Sequence, residues 1–202
     1  MTVTNDAELR EVYRPPAARA AQKVLDRLDV HCRNFIELSP FCVLSSSNAD
    51  GQADASPRGD PPGFVKVLDE KTLLLPDRPG NNQVDSLQNI VQNPGVGLLF
   101  FVPGMNETLR VKGKAEITTD PTLLEPLTVG SRAPLSGLKV SVEEAFLHCG
   151  RALIRSRIWD TDAQIDRSSY PTYGQVLADQ IAGADAREID ADEDEANRER
   201  LY

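Results

Sequence analysis

The feature that most limits how this 202-residue chain can fold lies between residues 41 and 118. Short strand-like segments follow one another there, separated by turn signals, with one helical pattern among them. FCVLSSSN (41–48) leads through the turn signal NADG (48–51) into QADASPR, so residues 41–58 predict a β-hairpin. GFVKVLDEKTLLLP (63–76) predicts a second hairpin around Asp69-Glu70-Lys71. GVGLLFFV (95–102) is continuously apolar between Gly and Pro and predicts a buried strand, which PGMNE (103–107) turns back. TLRVKGKAEIT (108–118) alternates as a long, half-exposed strand does, and LKVSVEEAF (138–146) alternates again. Six or seven strands joined mostly to their sequence neighbours favour a small antiparallel barrel with helices outside it. There is no strand–helix rhythm and no GxGxxG, which argues against a Rossmann fold.

Around this body the chain divides into three parts: a helical segment (1–30), the barrel (31–160) and a C-terminal helix with an acidic tail (161–202). Residues 5–28 read as one or two helices interrupted at Pro15-Pro16, and CGRALIRSRIW (149–159) and TYGQVLADQIAG read as helices. TDPTLLEPL reads as a short helix starting near Asp120-Pro121. The terminal DADEDEANRERLY reads as a solvated tail and carries much of the formal net charge of −9. That charge argues against nucleic acid as a partner, because such binding neutralises phosphates with Lys and Arg. No apolar run approaches the roughly 18–20 residues that span a bilayer, and the polar N-terminus lacks an apolar signal core, so no membrane role and a cytoplasmic location are expected. Three cysteines, Cys32, Cys42 and Cys149, stand at no metal-like spacing and are expected to be reduced and mostly buried.

Two loops carry the candidate chemistry. ASPRGDPPGF (55–64) and LPDRPGNNQ (75–83) each place an arginine beside proline and glycine. If both leave the same end of a barrel, Arg58 and Arg78 converge, and Gly59 and Gly80 let backbone approach a ligand. Arginine grips phosphate with a planar pair of donors. NNQVDSLQNIVQ (81–92) has helical spacing, and Asn81 or Asn82 is a suitable N-cap whose helix would aim free N–H groups at the same place. The residues alone leave two readings open: a phosphate site, or turns with arginines in solvent.

The wording and order of these motifs tip that balance. The stretch ASPRGDPPGFVKVLDEKTLLLPDRPGNNQVDSLQNIVQNPGVGLLFFVPG, followed by TLRVKGKAEI, resembles the pyridoxamine 5′-phosphate oxidase-like family of FMN-binding split barrels. EAFLHCGRALIRSRIW resembles the C-terminal His-Cys segment of a subgroup of FMN-dependent enzymes of unassigned substrate. The resemblance covers roughly residues 30–160. It implies a mainly β split barrel with peripheral helices, and a homodimer holding FMN at its interface. It places Ser56, Pro57, Arg58 and Gly59 along the flavin, Asp77 and Arg78 at the next strand end, and Asn81, Asn82 and Gln83 near the phosphate. Thr108 and Arg110 would approach from the long strand. True pyridoxamine-phosphate oxidases carry an Arg-Lys pair where this chain reads Asn82-Gln83, and their Arg-Leu-His-Asp-Arg type substrate motif has no counterpart here. Synthesis of pyridoxal phosphate is therefore not expected. The reading is an FMN-dependent oxidoreductase acting on a small molecule. The alternatives are a flavin binder without turnover, or a split barrel carrying deazaflavin or haem.

Other groups point elsewhere only weakly. His148-Cys149 suggests a Cys–His pair, but adjacent residues usually point apart, and a packing or dimer-contact role fits better. His31 with Cys32 makes no metal signature, and no HExxH or CxxC occurs, so no metal site is expected. Glu143-Glu144 reads as a solvated face, and Trp159 as helix-end packing rather than a flavin cover.

Overall fold

The alternating segment Thr108–Thr118 is the central strand of a seven-stranded antiparallel sheet in a computed structural model that describes residues 2–199, 201 and 202. In chain order the strands are β1 (Phe41–Ser47), β2 (Ala53–Gly59), β3 (Lys66–Asp69), β4 (Thr72–Asp77), β5 (Gly95–Phe101), β6 (Thr108–Thr118) and β7 (Ser136–His148). Their order in the sheet is β2-β1-β5-β6-β7-β4-β3. The helices are α1 (Asp6–Val12), α2 (Ala18–Gln22), α3 (Val30–Leu38), α4 (Asp85–Gln92), α5 (Pro121–Leu124), α6 (Arg151–Ser156), α7 (Tyr173–Gln180) and α8 (Ala186–Glu199).

Alternation places one face of β1, β5, β6 and β7 in a single core, while the edge strands β2 and β3 have no fully buried residue. Cys42 and Leu44 of β1, Leu98 and Phe100 of β5, Leu109 and Val111 of β6, and Val140 of β7 are almost wholly buried. Each such Leu or Phe contributes roughly 1.5–3 kcal/mol by leaving water. The run Leu73-Leu74-Leu75 in β4 is buried on both faces: Leu73 and Leu75 join the main core, while Leu74 packs outside it with Leu124 and Leu127. A β-bulge between Lys112 and Gly113 shifts the β6–β7 register. A Cβ on Gly113 would lie 2.0 Å from the Ser141 carbonyl oxygen, so only glycine fits that crossing.

Two expectations need correction. GVGLLFFV is buried on one face only: Val96, Leu98 and Phe100 face the core, whereas Leu99 and Phe101 stay half-exposed on the outer face. Phe101 meets the exposed Phe41 there, with ring centroids 5.9 Å apart. The acidic tail is not simply solvated chain. Most of it is the helix α8, which has no buried residue, and Tyr202 beyond it returns to the barrel. The helix α3 has no counterpart in the sequence reading. Asp29 caps it by accepting from the Cys32 N–H at 2.8 Å, and its buried Cys32, Phe35 and Ile36 join the core.

The two edge strands of the sheet, β2 and β3, are consecutive in sequence, and the sheet curls until the ends of β2 and β4 meet. Two ion pairs tie this opening: Arg58 to Asp77 at 2.7 Å, and Asp60 to Arg78 at 2.7 Å. The result is a split barrel.

Candidate functional site

The tie between β2 and β4 is also the floor of a cleft. Ser56, Pro57 and Arg58 come from β2, Asp77 from the end of β4, and Arg78 through Gln83 from the loop that follows. Val84, Leu87 and Leu135 supply apolar walls, and the cleft holds about 290 Å³. Gly59 lies just beyond it, in a smaller depression shared with Arg58 and Arg78. Thus the two arginine loops do leave the same end of the barrel, and nine of the eleven candidate residues lie in or beside one cleft.

The arginines are not free cations. Arg58 Nη1 donates to Asp77 Oδ1. Arg78 Nε donates to Asp60 Oδ2, and its Nη1 to the Leu127 carbonyl at 2.8 Å. With two arginines against two aspartates, the floor is close to neutral. Arg58 Nε is nevertheless buried without a partner, alone in this among the side-chain N and O atoms of the described residues. A buried unpaired donor carries a penalty of about 1–3 kcal/mol, which a ligand acceptor would relieve.

The loop differs from its sequence reading. Helix α4 begins at Asp85, with Val84 at the N-cap position and no side-chain cap, rather than at Asn81 or Asn82. Asn81 Oδ1 instead accepts from the Gln83 N–H at 2.9 Å, and Asn82 adopts φ +60°, a left-handed conformation that asparagine tolerates. Gln83 Nε2 bonds to Asp85. Asp85 already places negative charge in the first turn of α4, which weakens that terminus as an anion site. The side-chain amide of Asn82 has no hydrogen-bond partner among the described residues, so the cleft presents amide donors more than net charge.

Thr108 and Arg110 are elsewhere. In the sheet order β6 stands three strands from β2, and Thr108 is buried opposite His148. Arg110 lines a separate outer groove of about 510 Å³ with Ser45, Gly97, Lys112 and Glu143, its guanidinium carbon 5.7 Å from the Phe146 ring centre. Burial, aided by Arg110 and Lys23, holds the His148 pKa below its ordinary value. Glu143 and Glu144 are exposed partners of Lys114 and Lys112. The Trp159 indole N–H donates to the Met105 carbonyl at 2.8 Å, a packing contact. No group of three or more His, Cys, Asp or Glu that could hold a metal occurs among the described residues. No helix among them is long and apolar enough to cross a membrane.

Sequence reasoning missed Asp60 and Tyr202. Asp60 is printed in the first loop itself: Arg-Gly-Asp (58–60) faces Asp-Arg (77–78), two loops with complementary charges. Nothing local marks Tyr202, whose hydroxyl donates to Asp60 Oδ1 at 2.6 Å across 142 positions of sequence.

Comparison with known proteins agrees with this architecture. The family model for pyridoxamine 5′-phosphate oxidase matches residues 28–149, and the chain belongs to that family. No curated protein sequence matches it. Among solved structures, a tagged variant of HupZ from Group A Streptococcus aligns with TM-score 0.50 and 18% identity over 60% of this chain and 99% of that one. An FMN-binding protein from Syntrophomonas wolfei aligns with TM-score 0.45 and 9% identity over 57% and 82% of the two chains. A protein described as an F420 reductase aligns with TM-score 0.42 and 17% identity over 57% and 94%.

Proposed function

We propose that this chain is a cytoplasmic FMN-dependent oxidoreductase of small molecules, with the flavin lying along the cleft at the split between β2 and β4. The observation that carries this reading is the buried, unpartnered Arg58 Nε on the floor of a cleft lined by an amide-rich loop. Ser56, Pro57, Arg58 and Gly59 would run along the flavin, with Asp77 and Arg78 at its side. Asn81, Asn82 and Gln83 would bind the phosphate through amide donors. When bound, the flavin supplies hydride or single-electron transfer. The protein's part is to orient it, exclude water with Val84, Leu87 and Leu135, and offer Arg58 to an anionic oxygen. A second copy of the chain would complete the site. The exposed Phe41 and the half-exposed Leu99 and Phe101 on the outer face form an apolar surface suited to such a homodimer; Arg110 would act from the partner's β6, with the buried Thr108 positioning that strand beside it. Family membership does not bring the pyridoxamine phosphate reaction with it, because substrate choice resides in site residues that this chain lacks.

The test is the visible spectrum of the purified protein after FMN addition and desalting. About one FMN retained per chain is expected, with affinity reduced at least tenfold in Arg58→Gln of unchanged circular dichroism. A wild type that retains no flavin refutes the reading, and retention of a deazaflavin or haem instead moves the protein to that cofactor. One observation favours a second reading, a flavin binder without turnover: Asp77, the carboxylate that lines the cleft, and Asp60 beside it are both engaged by arginines, which leaves no free carboxylate there among the described residues. Steady oxidation of a nicotinamide donor by the flavin-loaded protein, with an electron acceptor present to reoxidise the flavin, would exclude it.

A further inference from the structure

Beside the cleft, the Asp60–Arg78 pair recognises a phenol. The Asp60 side chain is only 2% exposed, and each of its oxygens has one partner among the described residues. Oδ2 accepts from Arg78 Nε, and Oδ1 accepts from the Tyr202 hydroxyl at 2.6 Å. The Arg78 guanidinium carbon lies 5.5 Å from the centre of the Tyr202 ring, within the range of cation–π attraction. Arg132 Nη1 donates to the Tyr202 carbonyl oxygen. Helix α8 packs on α7, where the Gly174 N–H donates to Asp190 Oδ1 at 2.7 Å, and has no wholly buried residue of its own; beyond it the phenol is fixed by these separate contacts with the barrel. A pocket of about 160 Å³ adjoins the pair, walled by Pro61, Pro62, Phe64 and Leu127.

We propose that Asp60 and Arg78 form a binding site for a neutral hydroxyaryl compound, and that Tyr202 is its built-in competitor. The ligand class follows from the three features in place. A guanidinium face takes a flat aromatic ring, a buried carboxylate oxygen demands a hydroxyl donor, and the same carboxylate repels anionic groups. Asp60 holds the Tyr202 phenol in its protonated form, raising its pKa, as a donor role requires. Arg78 also lines the larger cleft, so a bound phenol would lie at the edge of that cleft. The site is one of binding alone and stands whether or not the cleft holds a flavin.

The test uses the full-length protein without added cofactor, with 4-fluorophenol observed by ¹⁹F NMR and 4-fluoroanisole as the analogue lacking the donor. A tethered competitor acts at an effective concentration on the order of millimolar. Tyr202→Ala is therefore expected to bind 4-fluorophenol saturably, at least tenfold more tightly than wild type, and not to bind 4-fluoroanisole. Asp60→Asn in the Tyr202→Ala background is expected to lose that binding. Tyr202→Phe, which keeps the ring and deletes only the hydroxyl, is expected to bind with intermediate affinity, and it serves as the readout should the Asp60 variant fail to fold. Equal binding by wild type and both Tyr202 variants, no saturable binding by Tyr202→Ala, or equal binding of the phenol and the anisole would each overturn the proposal.

Discussion

Replacing Arg78 with alanine separates the barrel's buried tie from its surface ion pairs. The substitution removes two hydrogen bonds, one to Asp60 Oδ2 and one to the Leu127 carbonyl. It strands the Asp60 carboxylate, whose side chain is 2% exposed in the intact protein, with the Tyr202 hydroxyl as its remaining partner among the described residues. Stranding one member of a buried pair costs about 3–5 kcal/mol. A domain holds about 5–15 kcal/mol in total, so the loss is a large share of it. At roughly 2–4 °C per kcal/mol for a chain of this size, Tm should fall by roughly 6–20 °C. The molecule contains its own control. Lys112 meets Glu144 at the same 2.7 Å, but these side chains are 51% and 43% exposed. Lys112→Ala should therefore cost only about 0.2–1 kcal/mol. Urea unfolding followed by circular dichroism measures both from the shift in midpoint at constant slope. Adding Asp60→Asn to Arg78→Ala removes the stranded charge and should recover about 1–3 kcal/mol. If Arg78→Ala costs no more than Lys112→Ala, or if Asp60→Asn deepens the loss, the tie is not what closes the split.

Three further outcomes are expected. Gly113→Ala forces a methyl to within 2.0 Å of the Ser141 carbonyl, so the β6–β7 crossing must open, and urea unfolding should show a loss of at least about 2 kcal/mol. A thiol reagent at pH 8 should label Cys149 within minutes and spare Cys32 and Cys42 in the folded protein, because Cys149 is exposed while burial pushes the other two thiols up to about 11 and about 12; mass spectrometry of tryptic peptides reads the sites. His148 has a folded pKa depressed by burial, Arg110 and Lys23, so its contribution to stability is present above the ordinary value of 6.5 and is lost as pH falls through that value toward the folded pKa. Midpoints measured from pH 8 to 5 should fall in wild type and fall less in His148→Gln.

The amino-acid sequence by itself determined the strands. Alternation at 108–118 and 138–146, and the turn chemistry of NADG and PGMNE, are local features, and side-chain direction along a strand repeats every two residues whatever the partner. The two arginine loops were legible for the same reason, since proline and glycine mark where strands end. Helix α3 was less legible: only nine residues long, it draws its stability from Cys32, Phe35 and Ile36 meeting a core assembled from distant strands. The start of α4 moved from Asn81 to Asp85 because the two asparagines spend their side chain and their left-handed backbone on a turn, a choice that propensity does not separate from capping. Tertiary structure alone decided the order of the strands, and with it the placement of Thr108 and Arg110 three strands from Arg58. It also decided that each arginine meets an aspartate of the other loop, and that Tyr202 lies against one of those aspartates. These contacts join positions 18, 19 and 142 residues apart. No pattern within a segment encodes them, because they arise only when the curled sheet brings its two open ends together.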